Sequence, residues 1–265
     1  MDIECICYIT IIIILIIYII WEYIQIYTLD VVYISQNIGN IDQYFFNNNL
    51  VKNPKNIYNK IAFVTYDNRP NLDYIKMHNT NIYNYCKKWG CTYYYYDKCT
   101  YNTYWCKIYL VLEILKLNIY DYVIWLDSDT IIKKMDVNIN DIFNKYNSDI
   151  FASDDNNNFY VGYFNAGIFA IKNSVIGIQF LEDCLNNVSS TCFNKNNSLK
   201  GIWSMTCYEQ GIMNKLILGK YKKYTTCIDK TLFYNGTDCN SDVFIMHMYD
   251  SSTEDRKNCF MKYTL

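Results

Sequence analysis

Proline and glycine are nearly missing from this chain, with two and nine among 265 residues, and alanine is scarce as well. Isoleucine, asparagine, tyrosine and lysine take their place along the whole length, a bias expected of an AT-rich coding sequence. Tyrosine runs and asparagine clusters therefore carry little functional weight, and Tyr93 to Tyr96 reads as a strand in preference to an aromatic binding platform. An excess of charge of either sign is also missing, since the formal net charge is −2. Without a basic stripe or an arginine cluster to neutralise phosphate along a groove, the balance argues against a nucleic-acid partner. No CxxC occurs among the twelve cysteines, so close metal-type pairing is absent. No internal repeat is visible.

Charge is absent altogether from Cys5 to Trp21, where Ile9 to Ile20 is almost entirely isoleucine and leucine. A helix there approaches the roughly 20 residues that cross a bilayer, with Tyr23 to Leu29 completing the span and Glu22 near one interface. Residues 1–29 are therefore expected to form a membrane anchor. A cleaved signal peptide competes poorly, because Asp2 and Glu4 stand where Lys or Arg belongs and no small-x-small cleavage site follows. A buried strand or helix is the third reading. Orientation is open, because the nearest basic residue is Lys52. Cys5 and Cys7 lie in this segment, and for the other ten cysteines disulfides and free buried thiols are equally open. Sequons at Asn187, Asn196 and Asn235 are about as many as this asparagine content produces by chance.

Residues 30–57 are polar and asparagine-rich, broken by Asn53-Pro54, and read as a stem or linker. Residues 58–265 are expected to form the ordered domain. Ile61 to Thr65 makes a first strand, Asn71 caps a helix that Gly90 ends, and Cys91 to Tyr96 makes a second strand. Tyr104 to Leu117 is a second helix and Val123 to Leu126 a third, fully buried strand. This β-α-β-α-β order implies right-handed crossovers and a doubly wound α/β sheet. Beyond it we expect helices near 140–146, 174–185 and 208–218. Strands are expected at 149–153, at 160–171 with a break at Asn165-Ala166-Gly167, and at Val243 to His247.

The third strand ends in Trp125-Leu126-Asp127-Ser128-Asp129. An Asp-x-Asp pair alone is weak, since close acidic pairs usually mark solvated turns. At the C-terminal end of a buried parallel strand, where such sheets bind ligands, two carboxylates can hold Mn²⁺ or Mg²⁺ against the phosphates of a nucleotide sugar. His247, at the end of an apolar run, is a candidate third ligand.

These residues together resemble glycosyltransferase family 34, the group of yeast α-galactosyl- and α-mannosyltransferases and plant xyloglucan xylosyltransferases. The resemblance rests on Trp105-Cys106-Lys107, Trp125 to Asp129, Phe164 to Phe169 before Asn173-Ser174, Glu209-Gln210, and Phe244 to His247, in the family's order over about residues 61 to 250. It implies a GT-A fold, a Rossmann-like mixed sheet flanked by helices, behind an N-terminal transmembrane helix. It also implies a type II, single-pass, Golgi-style placement, a UDP- or GDP-linked donor sugar, Mn²⁺ or Mg²⁺, and retention of anomeric configuration. The reaction implied is transfer of a hexose or pentose to a glycan or glycoprotein acceptor.

Position by position, the resemblance makes Asp127, Asp129 and His247 the metal ligands, with Ser128 between the aspartates. It puts Thr65 and Tyr66 near the nucleoside, Lys107 at the diphosphate or donor sugar, and Asn165, Ala166 and Gly167 in the donor-sugar pocket. Glu209 and Gln210 fall beneath the anomeric carbon, helping to stabilise an oxocarbenium-like centre. The chain departs from the family where His247 is followed by Met248-Tyr249-Asp250 instead of an early glycine, and in its short domain.

Bland readings exist for Glu209 as a surface helix residue, Lys107 as a snorkelling lysine and Asn165-Ala166-Gly167 as a turn. Two other functions compete. A haloacid-dehalogenase-type phosphatase would use Asp127 as nucleophile, although its motif belongs on a first strand. A non-catalytic member would keep the fold as a carbohydrate-binding subunit.

Overall fold

The computed structural model describes residues 60–99, 101–154, 164–196, 198–202 and 205–264. All of them fall within one compact unit, Asn53–Leu265. Residues 1–29 and 30–57, on which the anchor and the stem were placed, lie outside the described residues. No helix among the described residues is long and apolar enough to cross a membrane. The expected transmembrane helix therefore has no counterpart among the described residues, and the membrane partner and type II Golgi placement that rested on it are withdrawn. We correct the fold class to a mixed α/β domain with no membrane-crossing helix among the described residues.

Strand β1 (Ile61–Tyr66) leads through helix α1 (Asp73–Trp89) to β2 (Thr92–Tyr96), and α2 (Cys106–Lys116) leads to β3 (Tyr122–Leu126). The α1 N-cap is Leu72, not Asn71, and its C-cap Gly90 has φ 72°, the left-handed conformation that glycine adopts without strain. β1 pairs in parallel with both β2 and β3. Tyr93 to Tyr96 are buried in β2, their rings packed into the domain as strand residues. β4 (Thr130–Ile132), the short α3 (Ile139–Phe143) and β5 (Ile150–Asp154) follow.

β6 (Phe164–Lys172) runs through Asn165-Ala166-Gly167 as one strand, and in place of the expected break its register against β5 shifts there. It lies antiparallel to β3, with Leu126 opposite Ile168, and this makes the sheet mixed. Ser174 caps α4 (Val175–Asn186) by accepting from the Gly177 N–H. α5 (Glu209–Leu218), β7 (Thr225–Ile228), β8 (Phe233–Asn235), β9 (Ile245–His247) and α6 (Thr253–Met261) complete the domain.

The main sheet has six strands in the order β2-β1-β3-β6-β5-β7, and a small sheet has three in the order β4-β9-β8. Continuous apolar runs bury the centre of the main sheet on both faces, as Val123, Ile124 and Leu126 show. The strands of the small sheet are three residues long and too short to hold themselves. Asn81 of α1 does much of that work, donating to the Ile132 and Tyr263 carbonyls and accepting from the Ile132 N–H.

Disulfides join Cys99 to Cys106, Cys192 to Cys207, and Cys239 to Cys259. Cys86, Cys91, Cys184 and Cys227 are free. The two readings left open by the sequence thus both hold, for different cysteines.

Candidate metal and donor site

Two sheets meet at the Asp-x-Asp motif. Asp127 follows the last residue of β3, and its N–H donates to the Gly167 carbonyl of the neighbouring antiparallel strand at 2.8 Å. Three residues later the chain enters the small sheet, where Thr130 pairs with His247. The Met248 N–H also donates to the Asp129 carbonyl at 2.9 Å. Strand register therefore carries His247 back across more than a hundred residues of sequence to Asp129. Its Nε2 lies 3.1 Å from Asp129 Oδ1 and 3.8 Å from Asp127 Oδ2. One ligand atom from each of Asp127, Asp129 and His247 lies within 4.8 Å of the others, a group able to hold a metal ion.

Gly167 explains how the ring fits. A Cβ at that position would stand 2.1 Å from His247 Cε1, so the imidazole lies directly on the backbone of β6. Asn165 supports the same stretch from within, its Oδ1 accepting from the Gly167 N–H at 2.8 Å.

Lys107, in the first turn of α2, is buried. Its Nζ donates to Asp127 Oδ1 at 3.0 Å, lies 3.1 Å from Glu209 Oε1, reaches the Ala166 carbonyl at 3.2 Å and sits over the Trp125 ring. Burial opposes its charge, but Asp127 and Glu209 outweigh that and hold the ammonium well above the ordinary lysine range. The Trp125 ring N–H also donates to Asp127 Oδ1, at 2.6 Å.

Glu209 opens α5 and is almost fully buried, with Oε2 lacking any hydrogen-bond partner. Burial raises its pKa above the ordinary carboxyl value, and Lys107 offsets this in part. Gln210 does something different. Its Oε1 accepts from the Ala166 N–H at 3.0 Å, so it braces β6. The bland readings of Glu209 and Lys107 as surface residues, and of Asn165-Ala166-Gly167 as a turn, do not describe these positions.

Thr65 is fully buried, donating to the Leu126 carbonyl and touching His78 Nε2, so its side chain serves the core. Tyr66, next to it, is half-buried. Ser128 donates to Asp67 Oδ2, and Asp67 is gripped on both oxygens by Arg69. Burial opposes the Asp67 charge, yet Arg69 and Ser128 hold its carboxyl below the usual range.

Sequence reasoning missed Asp67, Arg69, Asn235 and Arg256. Arg256 on α6 lies 2.8 Å from Asp129 Oδ2, and Asn235 Oδ1 lies 2.9 Å from His247 Nδ1. A signal for the arginines existed. The chain has only Arg69 and Arg256, and each grips an aspartate at this site. Burial opposes the Asp129 charge, but His247 and Arg256 hold its carboxyl well below the ordinary range. The Asn235 sequon is no glycosylation acceptor in the folded chain, since the residue is buried and its amide is engaged at both ends.

The donor set suits the group that it would hold. Two carboxylates and one imidazole match a hard or borderline divalent cation. Asp127, Asp129 and Glu209 face Lys107 and Arg256, leaving one negative charge in excess when His247 is neutral. A diphosphate would be repelled by that balance, and a bound divalent cation would reverse it.

A mixed sheet with an acidic pair at the end of β3, answered by a histidine from a small second sheet, is the GT-A arrangement found in glycosyltransferases. Among solved structures, the chain is similar to a glycosyltransferase involved in the glycosylation of the major capsid of PBCV-1, with TM-score 0.60 and 14% identity over 76% of this chain and 98% of that one. It is also similar to the apo-form glycosyltransferase GlyE of Streptococcus pneumoniae TIGR4, with TM-score 0.50 and 15% identity over 77% of this chain. The match spans 60% of GlyE. At such identities the likeness shows the fold, and the fold is GT-A. No protein-family model and no curated protein matches the chain.

Asp127 ends the third strand, not the first, and three donor contacts from Lys107 and Trp125 already occupy its carboxylate. Nothing in this geometry favours a phosphatase nucleophile.

Proposed function

We propose that residues 58–265 form a metal-dependent glycosyltransferase that moves a hexose or pentose from a UDP- or GDP-linked sugar to a glycan or glycoprotein acceptor, of the kind found in glycosyltransferase family 34. The observation that carries this reading is the meeting of Asp127, Asp129 and His247 at the end of β3. The viral neighbour acts in glycosylation of a capsid protein, and a protein-linked acceptor is proposed here as well. Asp127, Asp129 and His247 would hold Mn²⁺ or Mg²⁺. When bound, the cation supplies charge neutralisation for the departing nucleoside diphosphate.

The chain's own residues would do the rest. Tyr66 and Ser128 would border the nucleoside, with Thr65 setting the strand behind them. Lys107 would bring a fixed positive charge to the leaving group. Asn165, Ala166 and Gly167 would let the donor sugar approach the backbone closely. The free Oε2 of Glu209 would face the positive charge that develops at the anomeric carbon, with retention of configuration, and Gln210 would hold Ala166 in register. The purified full-length chain, offered a panel of UDP- and GDP-sugars, should hydrolyse at least one slowly with Mn²⁺. Asp129→Ala should lower that rate by about a hundredfold or more. Absence of both turnover and metal-dependent nucleotide binding across the panel sinks the reading, whereas binding without turnover points to a carbohydrate-binding subunit.

A further inference from the structure

His247 carries two ring nitrogens, and only one can serve a cation. Asn235 decides which. β8 and β9 run parallel with Asn235 opposite His247, and this register puts the amide beside the ring. Asn235 Nδ2 donates to the Asp154 carbonyl at 2.6 Å, which leaves Oδ1 to face His247 Nδ1 at 2.9 Å. An amide oxygen only accepts, so Nδ1 carries the proton and Nε2 is the nitrogen turned to Asp127 and Asp129.

Arg256 does the equivalent for Asp129. Its Nη2 lies 2.8 Å from Asp129 Oδ2, its Nε donates to the Met248 carbonyl at 3.1 Å, and the guanidinium covers the Tyr74 ring at 5.5 Å. With the planar fork held at these three points, Oδ2 is fixed and Oδ1 faces His247. The Cys239–Cys259 disulfide ties α6 to the loop after β8, so Asn235 and Arg256 stand on covalently linked segments.

We propose that Asn235 and Arg256 are positioning residues for a divalent cation: Asn235 sets the proton and ring orientation of His247, and Arg256 sets the rotamer of Asp129. The inference rests on the metal-dependent reading of Asp127, Asp129 and His247. Loss of such an outer partner typically costs 10–100-fold in metal affinity.

The test is Mn²⁺ binding to the full chain, followed by the loss of the free Mn²⁺ electron-paramagnetic-resonance signal, with unfolding temperature recorded for each variant. Asn235→Leu removes the acceptor and should weaken binding about 10–100-fold. Asn235→Asp loses the bond to Asp154 but keeps an acceptor for Nδ1–H, so it should bind Mn²⁺ at least as tightly as the wild type. A merely structural role predicts weakening in both variants. Arg256→Met should weaken binding over the same range, and Arg256→Lys should recover part of it. If Asn235→Leu does not fold, the Asn235→Asp and Arg256 variants still decide the matter.

Mn²⁺ affinities for Asn235→Leu and Arg256→Met within twofold of the wild type overturn the proposal, as does equal weakening by Leu and Asp at position 235. A wild-type chain that binds no Mn²⁺ overturns the metal reading itself, an outcome distinct from either.

Discussion

The two sheets each deliver part of one site, and they keep their shape by different means. The main sheet is held by continuous apolar runs that bury its central strands on both faces. Ile61 to Val64, Val123, Ile124 and Leu126 are fully or almost fully buried apolar side chains. The small sheet has three-residue strands, with β4 far in sequence from the consecutive β8 and β9. It depends on buried polar side chains such as Asn81 and His78, on the register of β4 with β9, and on the Cys239–Cys259 disulfide. Asp127 and Lys107 belong to the first kind of structure, and His247, Asn235 and Arg256 to the second. A metal-type site at their boundary can therefore be damaged from the small sheet with the main sheet intact.

The largest effect is expected at the point where the sheets touch. In Gly167→Ala the new methyl would overlap the His247 ring, so the imidazole must leave its place. Mn²⁺ binding and metal-dependent turnover should then fall by more than the roughly 100-fold upper figure for losing an outer partner. Stability should drop by only about 1–3 kcal/mol, the usual cost of overpacking. Unchanged Mn²⁺ affinity in the folded variant would show that His247 is not a ligand.

A smaller effect separates the two sheets by stability. Asn81→Ala leaves buried backbone groups of β4 unpaired and should cost about 3 kcal/mol in denaturant unfolding, with weaker Mn²⁺ binding. Ile124→Val in the main sheet should cost about 1 kcal/mol and leave Mn²⁺ binding as it was. Equal costs, or equal effects on the metal, would erase the distinction drawn between the sheets.

The smallest effect on stability concerns Glu209. Its carboxyl pKa is raised in the folded state, so the wild-type group disfavours folding increasingly as pH rises through and above the ordinary value of 4.5. Glu209→Gln does not ionise and escapes that loss, while Lys107 keeps Asp127 and the Ala166 carbonyl. The variant should melt slightly higher than wild type at pH 7, the gap should close below about pH 4, and donor-sugar turnover should be lost. A lower melting temperature at pH 7 would mean that the Lys107 pair outweighs the burial of the carboxylate.

Much of the main sheet was legible because its signals are local. Apolar runs of strand length, Gly90 as a helix stop and Ser174 as a cap act within a few residues of themselves. Errors came where one residue type supports two structures. Asn165-Ala166-Gly167 has turn composition, yet Gln210 on the Ala166 N–H and the Asp127 N–H on the Gly167 carbonyl keep it within β6, and its glycine admits His247. Asn235 carried a modification motif, yet burial against His247 spends its amide. The cysteines could not be paired from spacing, because pairing depends on how loops fold back. Cys106 immediately precedes Lys107, and Cys207 lies two residues before Glu209, so two of the bridges pin the approaches to charged groups of the site.

By itself the sequence determined that a buried third strand would end in two carboxylates, because hydrophobic periodicity and strand-end polarity are properties of contiguous residues. Resemblance added Lys107 and Glu209 as candidates and joined His247 to the two aspartates, without saying which contacts hold them. Only the tertiary structure decided that His247 turns Nε2 toward Asp129, that Lys107 bridges Asp127 and Glu209, and that Asn235 and Arg256 stand behind the ligands. Those facts follow from strand register and long-range hydrogen bonds, whose partners lie up to more than a hundred residues apart and leave no periodic trace along the chain.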